Sequence, residues 1–241
     1  NRFQCLLKRP RQMPVQARVF SQPQPPAPTS INLQTLHFGD VRVEKAVRQA
    51  ERLLEKDIPL LIHGETGVGK EVFVKALHQA SSRSRQALIA VNCAAIPAEL
   101  VESELFGYEK GAFTGATTAK PGLIAAAEGG SLFLDEVGEM PGPMQVSLLR
   151  FLDRNEYRPV GSTRTLRADV RIICATNRDL QELVFQGRFR DDLLYRINTV
   201  TLRVPSLRER PEDIPGLVAH ILQNLRLPGT ATRIPTPESL E

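Results

Sequence analysis

The sequence predicts an α/β fold in which helices cover both faces of a parallel sheet and a small helical piece follows. Short apolar runs alternate along the chain with segments that carry apolar residues at helical spacing. This alternation is typical of parallel sheets, because neighbouring parallel strands need a crossover that is usually a helix. The runs predicted to be strands are residues 60–63, 87–91, 131–134, 170–174 and 199–204.

Helical spacing first appears at residue 41, where several apolar residues fall on one face of a helix. We expect further helices after residue 70 and over residues 144–154, 189–197 and 214–225. The residues that share the face of the first helix are Val43, Ala46, Val47, Ala50, Leu53 and Leu54.

The chain divides into three parts, because no strand pattern follows Pro205 and prolines crowd its beginning. Residues 1–30 are predicted to be a linker or the tail of a preceding regulatory domain, since a proline-rich spacer cannot build a core. A basic arm that binds nucleic acid is the alternative for this stretch. Residues 31–205 form the predicted α/β core, and residues 206–241 form the small helical piece.

Composition excludes several classes of protein. The chain has 241 residues and a formal net charge of +4, which permits contact with nucleic acid without arguing for it. Its 3 cysteines make no Cys-x-x-Cys pair, so disulfides and zinc are not expected and a cytoplasmic location fits best. No apolar run approaches the roughly 20 residues that span a membrane, so no membrane partner is expected.

A phosphate-binding loop follows the first predicted strand and precedes a helix. Its glycines let backbone N–H groups face an anion, and the helix beginning at its end favours negative charge. This context is that of a Walker A loop, which predicts a bound nucleoside triphosphate and little more. The alternative is a glycine-rich turn with a chance lysine. The loop residues are Gly64, Glu65, Thr66, Gly67, Val68, Gly69, Lys70 and Glu71, and Glu71 stands where most such loops carry Ser or Thr.

Two acidic residues, Asp135 and Glu136, end a second apolar run in the manner of a Walker B motif. A carboxylate at a strand end can hold Mg²⁺, and a second one beside it can orient the attacking water. The alternative for this pair alone is an exposed acidic turn.

Polar side chains end two further predicted strands. Asn92 follows one of them, and Thr176 and Asn177 follow another. A hydroxyl and an amide at Thr176 and Asn177 could bond the γ-phosphate or the attacking water, although polar residues often end strands. An amide at Asn92 could hold Glu136 when phosphate is absent.

Arg190 and Arg196 lie in one segment together with Asp191 and Asp192. The functional interpretation is a pair of arginine fingers that stabilise charge on the transferred phosphoryl group. The alternative is a set of surface ion pairs, which contribute little to stability. The residues alone do not choose between the two.

A glycine-flanked stretch, Gly111, Ala112, Phe113, Thr114, Gly115 and Ala116, presents an aromatic ring and a hydroxyl without any apolar periodicity. We interpret it as a protruding contact loop, and a tight buried turn is the alternative.

Taken together, these stretches resemble the central AAA+ ATPase domain of bacterial enhancer-binding proteins, which activate RNA polymerase carrying sigma-54. The resemblance runs from about residue 38 to residue 215 and accounts for glutamate after the Walker A lysine. It is strongest in GAFTGA, the sequence with which this family touches sigma-54. The shared stretches are GETGVGKE, NCAAIP, ESELFGYEKGAFTGA, GGSLFLDEVGEMP, ATNRDL, GRFRDDLLYRIN and LRERPEDIP. The sequence of residues 156–161 is most similar to that of activators of the acetoin-catabolism type.

The resemblance implies a role for each candidate residue. Asp135 resembles the magnesium-site acid, Glu136 the base that activates water, and Asn92 its switch partner. Thr176 and Asn177 are similar to sensor I. Arg190 and Arg196 are similar to fingers that reach into a neighbouring subunit, while Phe113 and Thr114 resemble the tip of the sigma-contacting loop, beside a second loop at residues 155–165.

The resemblance also implies partners: sigma-54 RNA polymerase holoenzyme, and further copies of the chain in a ring, as a hexamer or heptamer. Residues 206–241 would be a partial helical lid without sensor II, and DNA would be bound only through domains absent from this chain. Two other classes stay open, namely a different AAA+ remodelling ATPase and a scaffold that binds nucleotide without turnover.

Overall fold

A parallel sheet forms the centre of the molecule, as the alternating pattern predicts. The computed structural model describes residues 18–19 and 32–224. The strand order in the large sheet is β1-β3-β6-β9-β2-β10, and every neighbouring pair except the antiparallel β1–β3 pair is parallel. The strands are β1 (Arg18–Val19), β2 (Leu60–His63), β3 (Leu88–Asn92), β4 (Gly107–Tyr108), β5 (Lys120–Pro121), β6 (Ser131–Asp135), β7 (Glu156–Tyr157), β8 (Leu166–Arg167), β9 (Arg171–Thr176) and β10 (Val200–Arg203).

Helices cover both faces of this sheet. Alternate residues of the strands point to opposite faces, so β9 sends Ile172 and Cys174 into one apolar core and Ile173 and Ala175 into the other. Helices α1 and α2 supply the second core, and α3 to α7 supply the first. The helices are α1 (Val41–Glu51), α2 (Lys70–Ala80), α3 (Ala98–Phe106), α4 (Leu123–Ala126), α5 (Gly142–Arg154), α6 (Leu180–Phe185), α7 (Asp191–Ile197) and α8 (Ile214–Asn224).

Three predicted helix boundaries are wrong. Helix α5 begins at Gly142 rather than at residue 144, because Pro143 fits the first turn of a helix, where no intrahelical partner for its backbone nitrogen is needed. Helix α1 ends at Glu51, and the chain turns through the next residues toward β2, although Leu53 stays in the core and therefore matched the helical pattern. Helix α7 begins at Asp191 rather than at residue 189, because Arg190 has an extended backbone and is the N-cap. The two aspartates in the first turn favour this start, since they face the positive end of the helix dipole.

Most of the predicted linker, residues 1–30, and the end of the predicted lid, residues 225–241, lie outside the described residues. Within the predicted linker, β1 adds an antiparallel edge strand beside β3, which the sequence pattern did not predict. Within the described ranges the longest α-helix, α5, has 13 residues, and no helix is long and apolar enough to cross a bilayer.

Candidate nucleotide site and contact loop

The predicted phosphate loop connects β2 to the first turn of α2 at the carboxyl edge of the sheet. Gly67 and Gly69 have φ angles of +83° and +97°, which a side chain would strain. Gly69 is the N-cap of α2 and offers no side chain to its first N–H groups. Those donors and the helix dipole therefore remain available to an anion.

Lys70 turns its ammonium group back into this loop. Its Nζ donates to the carbonyl oxygens of Gly64 and Glu65, both at 2.9 Å, and the residue is 7% exposed. A phosphate oxygen placed in the loop would compete for these donors and offer a full negative charge. The next residue, Glu71, forms an i,i+4 ion pair with Lys75 at 2.9 Å along α2.

The two acidic residues stand at the end of β6, next to the end of β3. Asp135 is in register with Asn92, and Asp135 Oδ1 accepts a hydrogen bond of 2.9 Å from the amide of Glu136. Burial raises the pKa of Asp135, which the Glu136 amide and the charge of Lys70 partly oppose. Glu136 itself has φ +55° and ψ +45°, a left-handed backbone that is rare for a residue with a side chain. Such strain is found preferentially at functional sites.

The structure brings Asn92 to this edge without joining it to Glu136. The Oδ1 atom of Asn92 caps a short 3₁₀ helix by accepting from the amides of Ala94 and Ala95, at 2.8 and 3.3 Å. No hydrogen bond links Asn92 to Glu136 among the residues that the structure describes. The predicted switch pair is therefore adjacent here and unbonded.

The two residues predicted to resemble sensor I differ in what they can reach. Thr176 is 1% exposed, and its hydroxyl accepts from the amide of Arg178 at 3.0 Å, so it shapes the turn after β9. Asn177 extends further, and its Nδ2 donates to Thr66 Oγ1 of the phosphate loop at 2.9 Å. Asn177 is thus the member of the pair whose side chain contacts the phosphate loop, whereas Thr176 reaches it through its backbone carbonyl, which accepts from the Gly64 amide at 3.1 Å.

The two candidate arginine fingers lie on the surface near α7, each paired with a carboxylate of its own chain. Arg190 forms two hydrogen bonds of 2.9 and 2.7 Å with Asp192, which raises the pKa of Arg190. Arg196 Nε lies 2.8 Å from Asp153. Both side chains are about half exposed, at 47% and 53%. Such pairs are weak enough to be exchanged for another anion.

A cleft of about 740 Å³ opens beside the phosphate loop. Residues 35–38, before α1, form one wall, and the segment from Ser206 to α8 forms another. Arg208 crosses the opening and pairs with Glu65 of the loop, with one Nη1 to Oε2 distance of 2.9 Å. A second arginine, Arg210, donates to the carbonyl oxygen of Val68 at 3.0 Å.

The predicted contact loop lies on the surface. Phe113 is 39% exposed, Thr114 is exposed, and only Ala116 of this stretch is buried. The loop closes through a hydrogen bond of 2.8 Å from the Gly111 amide to the Ala116 carbonyl, and the Phe113 ring meets Tyr108 edge-on at 4.9 Å. A tight buried turn, the alternative interpretation, is therefore wrong.

A second loop lies directly against the first. The Glu109 amide donates to the Val160 carbonyl at 3.0 Å, and the Val160 amide donates to the Gly107 carbonyl at 2.9 Å. A Cβ added to Gly161 would lie 2.8 Å from the Ala112 Cβ. The segment predicted to move with the contact loop, residues 155–165, is thus joined to it by backbone hydrogen bonds and by close packing.

Comparison with known proteins now decides the family. Residues 36–203 match the sequence model of the family described as the sigma-54 interaction domain. The chain belongs to this family. The match covers the phosphate loop, the acidic pair, both surface loops and α7.

The curated relatives that the chain matches are transcriptional regulators of greater length. The chain is 51% identical over 179 residues to the transcriptional regulatory protein GlrR of Escherichia coli K12, covering 74% of this chain and 40% of that protein. It is 49% identical over 199 residues to the transcriptional regulator NtrC of Rhizobium meliloti, covering 83% and 41%. The chain thus spans about two fifths of these relatives, and the acetoin-type resemblance stays a prediction.

Solved structures agree with the α/β fold. NtrX from Brucella abortus superposes with a TM-score of 0.75 at 34% identity, covering 85% of this chain and 46% of that one. NtrX in complex with ATP gives a TM-score of 0.70 at 36% identity, covering 77% and 42%. A protein that shares this fold has therefore been solved in complex with ATP.

Sequence reasoning missed three residues that line the cleft beside the phosphate loop and lie just after the range 36–203 that matches the family. Arg208, Arg210 and Asp213 line the cleft, far along the chain from the loop. They lie in LRERPEDIP, which marked the family resemblance but received no role. The charge of this stretch was the available signal, since a buried arginine needs a partner such as a backbone carbonyl.

Proposed function

We propose that this chain is an ATP-hydrolysing module that remodels sigma-54 RNA polymerase holoenzyme at closed promoters, and so activates transcription in the cytoplasm. The observation that carries the proposal is the presence of both halves of such a device in one fold. A phosphate loop and an acidic pair share one edge of the sheet, and an exposed GAFTGA loop projects from the end of α3.

The nucleotide half is supported by the donors around the phosphate loop. The free N–H groups at the start of α2 and the ammonium of Lys70 suit a triphosphate. Asn177 contacts the loop through Thr66, so it would sense the terminal phosphate. Glu136 would orient the attacking water and accept its proton.

The acidic pair suits magnesium. Among the described residues no cluster of three or more His, Cys, Asp or Glu side chains surrounds a common point, so the protein offers two carboxylates at most. Mg²⁺ is usually held by one or two carboxylates together with water and substrate phosphates, which matches this donor set. Asp135 would hold the Mg²⁺ ion, and the positive charge of the ion would neutralise part of the negative charge of the phosphates.

The arginines support a ring in which each site lies between two subunits. Arg190 and Arg196 are exposed, and within residues 32–224 their ion pairs are with Asp192 and Asp153, so each can be released toward a neighbour's phosphate. Hydrolysis would then require assembly, as a hexamer or heptamer.

The contact half is tested by a single hydroxyl. Thr114→Ala should abolish binding to sigma-54 holoenzyme and leave ATP turnover unchanged, because the loop is remote in sequence from the phosphate loop and exposed. Thr117→Ala, at an exposed position just after the loop, is the matched control. If Thr114→Ala bound the polymerase as well as the wild type does, the proposed activator function would be refuted, and another AAA+ remodelling ATPase would be favoured.

The enzymatic half is tested at the water-activating carboxylate. Glu136→Gln keeps the shape of the side chain and should retain ATP binding while hydrolysis stops. Phosphate release and nucleotide affinity would be measured on the same preparation. Equal hydrolysis by the variant would remove Glu136 from its role, and a wild-type chain that binds without turnover would be a scaffold.

A further inference from the structure

One buried ion pair beside the phosphate loop has unused hydrogen-bonding capacity. In the described part of the chain, the buried side-chain atoms without a hydrogen-bond partner are Nε of Arg171, Nε of Arg210 and Oδ2 of Asp213. Two of the three belong to the same pair, whose Nη1 and Oδ2 atoms are 3.8 Å apart. This distance is too long for a hydrogen bond, and buried polar atoms without partners are rare.

The other bonds of this pair connect two walls of the cleft. Arg210 Nη2 donates to the Val68 carbonyl of the phosphate loop at 3.0 Å. Asp213 Oδ1 accepts from the amides of Phe38 and Asp40, at 3.0 and 2.9 Å. The Arg210 and Asp213 side chains are only 12% and 1% exposed. Through them the phosphate loop is joined to the segment that leads into α1.

Helix α8, which also lines the cleft, packs against the segment that Asp213 holds. A Cβ on Gly216, in α8, would lie 2.7 Å from Phe38, so the helix backbone packs directly on that side chain. Asp40 in turn caps α1 by accepting from the amides of Arg42 and Val43. A displacement of the Arg210–Asp213 pair would therefore move the Phe38 wall relative to the phosphate loop.

The bond to Val68 has a direct consequence for phosphate. A peptide unit is planar and trans, so its C=O and N–H groups point in opposite directions. Fixing the Val68 carbonyl toward Arg210 therefore fixes the direction of the Gly69 N–H, which belongs to the same peptide and opens α2. This is one of the donors that a phosphate would use.

We propose that Arg210 and Asp213 are positioning residues for nucleotide binding, which hold the Val68–Gly69 peptide in its anion-binding orientation and fix the Phe38 wall beside it. Their unused atoms leave room for the pair to shorten into a hydrogen-bonded contact when the phosphate loop moves onto a ligand. This inference rests on the proposed function, since it concerns the same nucleotide site.

The test is the affinity of the full chain for ATP, measured by titration with a fluorescent ATP analogue and by competition with ATP. Arg210→Ala should raise the Kd about ten-fold or more, because a charged hydrogen bond and the partner of a buried carboxylate are both lost. Arg210→Lys keeps the charge and should recover part of the affinity. Asp213→Asn keeps an oxygen for the two amides and should weaken binding by a smaller factor.

Arg203→Ala is the matched control, because Arg203 lies in the same region, pairs with Glu209 and is 73% exposed. Its Kd should equal that of the wild type. Melting temperatures without nucleotide separate positioning from simple destabilisation, since Arg210→Lys should melt near the wild type and still bind ATP less tightly.

Unchanged affinity in Arg210→Ala and Asp213→Asn would overturn this inference alone. The inference would also be overturned if, in every variant, the loss of affinity were proportional to the loss in melting temperature, because the pair would then only stabilise the fold. A wild-type chain that does not bind ATP would overturn the proposed function and this inference together.

Discussion

Gly161→Ala should strain the contact between the two surface loops while leaving the nucleotide site intact. Gly161 has a φ of +78°, and a Cβ at this position would lie 2.8 Å from the Ala112 Cβ and 3.0 Å from its Cα. Gly187, between α6 and α7, has a φ of +69° and nothing within 4 Å of its added Cβ. Gly187→Ala therefore imposes similar backbone strain without the contact between loops.

The difference between these variants isolates the contact with Ala112. Left-handed backbone strain costs about 1–2 kcal/mol for an alanine, and both variants carry it. A carbon–carbon contact of 2.8 Å is far inside the favourable separation of about 3.5–4.0 Å, and such overpacking costs roughly 1–3 kcal/mol more. At about 2–4 °C per kcal/mol, Gly161→Ala should melt roughly 2–12 °C below Gly187→Ala, unless the loops move apart.

Thermal melting and sigma-54 holoenzyme binding would be measured together. If the loops move apart to relieve the contact, the melting temperature recovers but polymerase binding falls, since the bonds from Glu109 and Val160 are lost. Adding Ala112→Gly should restore part of the loss, which a double-mutant cycle quantifies. The reasoning fails if Gly161→Ala matches Gly187→Ala in both assays.

Three other predictions concern charge. Burial lowers the pKa of His78 below its ordinary value of 6.5, so the unfolded chain binds the proton more readily and the free energy of unfolding should fall as pH drops below about 6.5. Urea unfolding of the wild type and of His78→Gln at pH 7.5 and 5.5 would measure this fall. An equal fall in both proteins would contradict the role of His78. Asp153→Asn should change the free energy of unfolding by less than about 1 kcal/mol, because its partner Arg196 is 53% exposed; a larger loss in urea titrations would make the pair structural. Mixing Arg190→Ala with Lys70→Ala subunits should restore ATPase activity, and no recovery at any ratio would place the arginine within its own site.

The sheet and its functional edge could be predicted because their signals are local. The central parallel strands β2, β3, β6 and β9 are apolar runs with buried residues on both faces, and the residues that end these runs meet at one edge by topology alone. Asp135 beside Asn92, and Asn177 at the phosphate loop, follow from that rule.

Contacts between distant segments could not be predicted in the same way. Arg208 and Glu65 are separated by 143 positions, and no local sequence pattern indicates that these two residues form an ion pair. Asn92 illustrates a different limit, because its amide oxygen is taken by two nearby backbone N–H groups rather than by Glu136. Short polar side chains often bond to their own turn, and sequence spacing does not show which partner wins.

On the proposed function, the geometry offers a short route from the nucleotide edge to the contact loop. β3 ends at Asn92 beside Asp135, and one 3₁₀ turn later α3 runs directly into Gly107 at the base of the loop. Lys120 pairs with Glu104 at 2.8 Å, which joins the far side of that base to α3. Because a helix is stiff and both ends of the loop are attached to it, a displacement at Asn92 would reach Phe113 as a movement of the whole unit. The Phe113 ring then needs no separate hinge. A change of nucleotide state would change the position of the contact loop relative to the rest of the fold, and the conformation of the loop itself would stay the same.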